Sequence, residues 1–350
     1  MRKQITFSVL VGSCCSFFGA QSMWIKPEGI RPVKTIFYQG MLASQTQAAK
    51  YTGSHGFTTT TQEHTQCANA IDIIEDVFVK PEVDEISPLE YKENAGWFST
   101  SFFTAPIDTI CGVIARNADR GYGITTTSCP GTKPAQTFNG HRVYLSKISL
   151  GQEPDIKNHQ RRYDACVQEY PDEDLILFGV SKGAASTFVA YATLQYKNVK
   201  LVFLEGCFDS LSHVVAEWYR WCPNMVKQTL YRMGSKFTNH DPTGVAPIDL
   251  VHRFPKETPI AFITSKTDTL VPAACTKTLA YLLANVGHSH VYLLELEHSS
   301  HPRYMMDNEE DRNKYQWFAH ALYKKYGLPH IEKYALAGES LLTQCALSGI

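Results

Sequence analysis

Leu175-Ile-Leu-Phe-Gly-Val-Ser181-Lys-Gly-Ala184 is the stretch on which the reading of this chain turns. Residues 175–178 are apolar without a polar break, the mark of a short strand buried on both faces. Gly179-Val180-Ser181-Lys182-Gly183 follows, a G-x-S-x-G pentapeptide, and then a helical pattern with Phe188, Val189 and Ala192 on one face. Strand, tight turn and helix in that order hold a serine at a strained backbone position, where only small flanking residues fit. Such a turn projects the Ser181 hydroxyl from the top of a sheet with a helix N-terminus behind it. That makes Ser181 a candidate nucleophile.

The same pentapeptide also occurs as a plain packing turn, so the rest of the chain must supply partners. Toward the C-terminus the pattern reads as a buried strand at 199–205, helical stretches at 214–221 and 226–233, and a strand at 259–264. A helix at 275–285, a last strand at 290–296 and a closing helix at 311–326 follow, with a peripheral helical tail at 331–350. Toward the N-terminus, Asp155 offers an N-cap for a helix striped with Ile156, Tyr163, Cys166, Val167 and Tyr170. Before it come a strand at 142–149, a strand at 32–38 running into a glycine-containing loop, and a helix at 44–51. Strands alternating with helices predict an α/β fold: a mostly parallel sheet with helices on both faces.

Residues 53–138 break the alternation. They are rich in Thr, Ser, Gly and Pro and carry an aromatic cluster at Trp97, Phe98, Phe102 and Phe103. That is too long for a plain connection and reads as an insertion after the first core helix. Residues 210–255, with Trp218, Tyr219 and Trp221 close together, read as a small helical cap that lines a substrate pocket. The main domain is therefore expected over 30–330, with the tail at 331–350.

The 350 residues are 44% hydrophobic and 19% charged, with a formal net charge of −1. No basic block is present, so binding of nucleic acid through phosphate neutralisation has no compositional support. Residues 1–23 read as a signal peptide or N-terminal anchor: Arg2 and Lys3 precede an apolar run that ends near Ala20. Cys14 after Val11-Gly12-Ser13 offers a lipoprotein-like variant of the same export reading, and membrane association is expected through the N-terminus only. The eight cysteines beyond the leader are dispersed without a C-x-x-C pair, which is no zinc signature. In an exported protein, pairing is most plausible among Cys67, Cys111 and Cys129. His288 and His290 lack a third nearby ligand, so no metal is expected from them.

A serine nucleophile needs a base, an orienting acid and an oxyanion hole. Asp268 lies a few residues past the strand at 259–264, in a D-x-x-V-P segment closed by Val271-Pro272. The last strand runs into His298-Ser-Ser-His301. The elbow and this Ser, Asp, His order resemble the α/β-hydrolase superfamily of serine esterases, lipases and prolyl-oligopeptidase-like hydrolases over about residues 30–327. The resemblance implies Ser181 as nucleophile, Asp268 as orienting acid and His301 as base. His301 suits the loop position better than His298, which abuts the strand and remains the alternative base. Asp209, just past the preceding strand with Glu205 near it, is the alternative acid. The oxyanion hole would use the backbone N–H of Lys182 and of Met41, although Gln39 stands where many relatives have His. The Lys182 side chain is expected in solvent or against the loop.

These expectations describe an exported serine hydrolase without cofactor, acting on an ester, thioester or amide of a small molecule or peptide. The alternative is a hydrolase-like fold used for binding, since a fold does not guarantee its function.

Overall fold

The computed structural model describes residues 24–25, 33–38, 40, 124–125, 136–138, 141–143, 151–237, 240–301 and 303–347. The leader at 1–23, the helix at 44–51, Met41, Gln39, the aromatic cluster at 97–103 and Cys67, Cys111 and Cys129 lie outside the described residues. So does most of the 53–138 insertion.

The core is a six-stranded sheet. Its strands are β1 (Val33–Tyr38), β2 (Asp174–Val180), β3 (Val199–Glu205), β4 (Ile260–Ser265), β5 (Val291–Leu296) and β6 (Ala346–Leu347). They lie side by side in that order, β1 to β5 parallel and β6 antiparallel on the far edge. The helices are α1 (Glu153–Glu169), α2 (Lys182–Leu194), α3 (Leu211–Trp218), α4 (Asn224–Phe237), α5 (Ala273–Asn285), α6 (Glu309–Lys325) and α7 (Glu332–Cys345). This is the mostly parallel α/β architecture expected.

Strand alternation assigns each strand residue to one of two cores. Ile36, Leu175, Leu177, Val202 and Phe262 face α1, α2 and α5, through Tyr163, Phe188 and Leu279 among others. Phe37, Ile176, Phe178, Phe203 and Ile263 face α6 and α7, through Tyr315, Phe318 and Leu342. Phe178 stacks on Phe37 at 5.0 Å and on Phe203 at 5.4 Å, so the nucleophile strand is held at the centre of an aromatic row. Each such ring contributes about 2–3 kcal/mol by burial, and each stacked pair about 0.5–1.5 kcal/mol more. Both faces of β2 are thus fixed before Ser181 is reached.

Several expectations change. The tail is not peripheral: α7 packs on α6, with Gly338 pressed onto the Trp317 carbonyl and Leu342 and Cys345 in the core. β6 then completes the sheet beside β5. A tail placed by contacts with distant residues leaves no local periodicity strong enough to reveal this. Helix α1 starts at Glu153 with Gln152 as N-cap, so Asp155 sits inside the first turn rather than capping it. The described part of the strand expected at 142–149, His141–Val143, pairs antiparallel with Gln136–Phe138 in a small three-stranded sheet with Ile124–Thr125, apart from the central sheet. The free thiols Cys166, Cys207, Cys222, Cys275 and Cys345 are all buried, and none is paired among the described residues. No helix of the described residues is long and apolar enough to cross a membrane.

Candidate active site

Ser181 stands between β2 and α2 with φ 56° and ψ −119°, a conformation that a non-glycine residue adopts only under constraint from its surroundings. The constraint is visible. The Ser181 N–H donates to the Glu205 carbonyl at the end of β3 at 2.7 Å, and the Ser181 carbonyl accepts the Ala184 and Ala185 N–H groups at 2.9 and 3.1 Å. Gly179 has no room for a side chain, because a Cβ there would lie 2.6 Å from Ala184 Cα and 2.8 Å from the Gly183 carbonyl oxygen. The first glycine of the pentapeptide is therefore a packing requirement between strand and helix. Gly40, two residues beyond β1, faces Ser181: a Cβ on it would touch Ser181 Cβ at 3.4 Å.

Asp268 folds its own turn. Its Oδ1 accepts the N–H groups of Leu270 and Val271 at 2.9 and 2.8 Å, which aims Oδ2 outward at His301 Nδ1, 2.7 Å away. The Tyr304 hydroxyl donates to the same Oδ2. A carboxylate with two backbone donors, a phenol and an imidazole has all its lone-pair directions used, which suits the ionised acceptor. Because that carboxylate only accepts, His301 Nδ1 carries the proton and Nε2 presents a lone pair. His301 Nε2 is buried and has no hydrogen-bond partner among the described residues, Ser181 Oγ included, an uncommon state for a buried polar atom.

The base loop is built by residues the sequence did not advertise. Asp311, buried in the first turn of α6, accepts from the Glu297, His298 and Ser299 N–H groups at 3.0, 2.8 and 2.7 Å and from Ser299 Oγ at 2.7 Å. Burial raises its carboxyl pKa, but these four donors outweigh that and hold it below the ordinary aspartate value. Thr267 Oγ1 donates to the Ser299 carbonyl at 2.9 Å, tying the acid loop to the base loop. The His301 ring rests on Gly206, where φ is +53° and a Cβ would collide with the ring at 2.7 Å. Gly206 directly follows Glu205, whose carbonyl holds Ser181, so base and serine share one strand end. The signal that could have found Asp311 is the Asn308-x-x-Asp311 spacing at a helix start, where Asn308 Oδ1 accepts the Asp311 N–H.

The remaining candidates separate cleanly. His298 is 54% exposed in its side chain and lies 3.9 Å from Glu310, away from Asp268. Asp209 is paired with His213, its Oδ2 2.7 Å from Nδ1, and takes no part with His301. Lys182 is not in solvent: its side chain is buried and its ammonium donates to Asp155 Oδ1 at 2.9 Å, while Asp155 Oδ2 accepts the Gly151 N–H at 2.8 Å. That pair pins the start of α1 against the elbow, a long-range contact that no local pattern announces. Glu205 is fully buried and accepts from the Tyr315 hydroxyl. His288 Nε2 donates to the Pro255 carbonyl at 2.9 Å, and the ring is a buried structural group. In the cap, Trp218 Nε1 donates to the Thr269 and Leu270 carbonyls at 3.1 Å, so α3 stands on the acid loop, whereas Trp221 is 71% exposed.

A parallel sheet of this order, with a strained serine at the turn after β2, an Asp past β4 and the His it meets past β5, is the α/β-hydrolase fold. No family model matches the chain, and no curated protein matches it. Among solved structures, it is similar to an acylaminoacyl peptidase of Pyrococcus horikoshii at 15% identity and TM-score 0.35, over 55% of this chain and 28% of that one. It is similar to a Pyrococcus furiosus esterase at 12% identity and TM-score 0.39, over 91% of this chain and 84% of that one. A Paleococcus ferrophilus monoacylglycerol lipase matches at 14% identity and TM-score 0.32, over 49% of this chain and 75% of that one. At these values none of the three bears on the chemistry, and the match spans under a third of the peptidase.

Proposed function

We propose that this protein is a serine hydrolase that cleaves an ester, thioester or amide bond of a small molecule or peptide through an acyl-enzyme. The observation that carries the reading is the Asp268–His301 pair, Oδ2 to Nδ1 at 2.7 Å, on a ring that rests on Gly206 beside the strand end whose Glu205 carbonyl holds the strained Ser181. Ser181 Oγ attacks the substrate carbonyl and its proton passes to His301 Nε2, while Asp268 stabilises the imidazolium that forms. The oxyanion meets the backbone N–H of Lys182 at the start of α2 and that of Met41 beyond Gly40. Collapse expels the leaving group, protonated from Nε2, and water then releases the acyl group by the same route. Export through residues 1–23 places this reaction outside the cytoplasm.

Labelling with a fluorophosphonate probe tests the reading. The wild-type chain is expected to label once, at Ser181, and Ser181→Ala to be silent while folded. A folded wild type that does not label refutes it. A panel of short-chain esters, long-chain esters, thioesters and peptide amides then assigns the substrate class.

A further inference from the structure

Beside the acid loop lies a second group of polar side chains for which the proposed reaction has no use. Asp209 follows β3, His213 occupies the first turn of α3, and Cys275 the first turn of α5. A carboxylate oxygen, an imidazole nitrogen and the thiol sulfur from these residues all lie within 4.8 Å of one another. Asp209 and Cys275 are buried, and the His213 side chain is 28% exposed, so the group opens to solvent on one side only. The Asp209–His213 hydrogen bond alone would explain two of the three side chains, but not the thiol set beside a buried carboxylate. There, burial, with help from Asp209, raises the pKa of Cys275 far above its ordinary value, and burial also raises that of Asp209.

We propose that Asp209, His213 and Cys275 form a binding site for a borderline-soft divalent cation, Zn2+ first. One thiolate, one imidazole and one carboxylate suit zinc and exclude the hard cations Mg2+ and Ca2+, which take oxygen ligands. Bond lengths of about 2.0–2.3 Å in tetrahedral geometry separate such donors by about 3.3–3.6 Å. The group therefore closes by about 1.5 Å at most around the ion, and the Asp209–His213 contact opens from its present 2.7 Å. A fourth position is left for water on the exposed side. Glu217, one turn further along α3, has Oε1 3.8 Å from His213 Nε2 and would receive its N–H once Nδ1 is on the metal, the orienting contact usual for a metal-bound imidazole. On binding, the thiol loses its proton to solvent and the cation offsets the charge gathered by thiolate and carboxylate.

The ion would clamp elements that already hold the triad. Cys275 lies four residues after Val271, whose N–H donates to Asp268 Oδ1, and Asp209 three after Gly206, on which His301 rests. Binding is read without any turnover. The full chain is stripped with a chelator and titrated with Co2+ and with Zn2+. One cobalt per chain is expected, with thiolate-to-metal charge-transfer absorption that Zn2+ abolishes, and a thermal midpoint that rises with zinc. Cys275→Ser is expected to remove the absorption and weaken zinc by more than about 100-fold, and Glu217→Gln by about 10-fold. If Cys275→Ser does not fold, His213→Gln, at the exposed position, reads the same loss of affinity. No saturable binding to the folded wild type, or an unchanged absorption in Cys275→Ser, overturns the site.

Discussion

Replacing Asp311 by alanine is expected to disable the site without touching any of its three reacting side chains. The carboxylate accepts four hydrogen bonds from three consecutive residues, Glu297, His298 and Ser299, the last of them two residues before His301. Hydrogen bonds to a charged group contribute about 1.5–3 kcal/mol each. His298 is exposed and Glu297 half-buried, so water replaces part of what their amides lose, whereas Ser299 is buried: its N–H is left without an acceptor and its hydroxyl keeps only the longer contact to the Tyr304 carbonyl at 3.2 Å. The net cost is about 3–5 kcal/mol, a large share of the stability of an ordinary domain. The loop then relaxes, and a displacement of about 1 Å at His301 lowers reactivity about 100-fold. Urea unfolding measures the first effect. The second-order rate of fluorophosphonate labelling, taken in buffer where the variant is folded, measures the second. The pH dependence gives an independent check. Because the folded pKa of Asp311 lies below the unfolded value, its contribution is complete above the unfolded pKa and is lost as pH falls through the folded one. Wild type should therefore lose its advantage over Asp311→Ala in acid below about pH 4, starting from the ordinary aspartate value. Equal unfolding free energies at neutral pH, or an unchanged labelling rate, would refute the role given to Asp311.

Four other outcomes follow from the same geometry. Ser181→Gly should be inert to the probe yet melt no lower than wild type, since relief of about 1–3 kcal/mol of strain at φ 56° exceeds the roughly 0.5–1 kcal/mol of added chain entropy; a marked fall in melting temperature would count against strain at the elbow. His301→Ala should abolish labelling, while His298→Ala, at a side chain 54% exposed, should label within about twofold of wild type; the reverse pattern would transfer the role of base to His298. Asp155→Ala should cost about 1.5–3 kcal/mol by removing the carboxylate to which the buried Lys182 ammonium donates at 2.9 Å, and Asp155→Leu combined with Lys182→Met should recover most of it in thermal melts. Tyr304→Phe removes one donor from Asp268 Oδ2 and should lower the labelling rate less than about tenfold, with Asp268→Asn far more severe.

The parts of the site that were legible in the sequence are those whose chemistry is local. Ser181 is announced by its own turn, because a strand run, two glycines and a helix start are neighbours in the chain. Asp268 is announced by the turn its Oδ1 organises with Leu270 and Val271. The choice between His301 and His298 rested on loop position alone, and it was the fold that set one ring against Gly206 and Asp268 and the other beside Glu310. Lys182 and Asp155 show the opposite case. Separated by 27 residues, they meet only because α1 docks on the elbow, and a charged residue after a nucleophile reads from sequence as solvated.

What the sequence determined by itself is therefore the alternation of strands and helices from the strand before Ser181 to the closing helix, the parallel sheet that alternation requires, and the position of Ser181 at a strand-to-helix turn within it. Periodicity and turn chemistry act over a few residues, and those features need nothing longer. Tertiary structure alone decided which histidine meets the acid, that Asp311 and Tyr304 support the base and the acid, that Lys182 is buried, and that the C-terminal helix and strand complete the core. The physical reason is the same in each case. These contacts join residues brought together only when strands and helices distant in the chain pack side by side, and a contact between distant segments leaves no periodic trace in either of them.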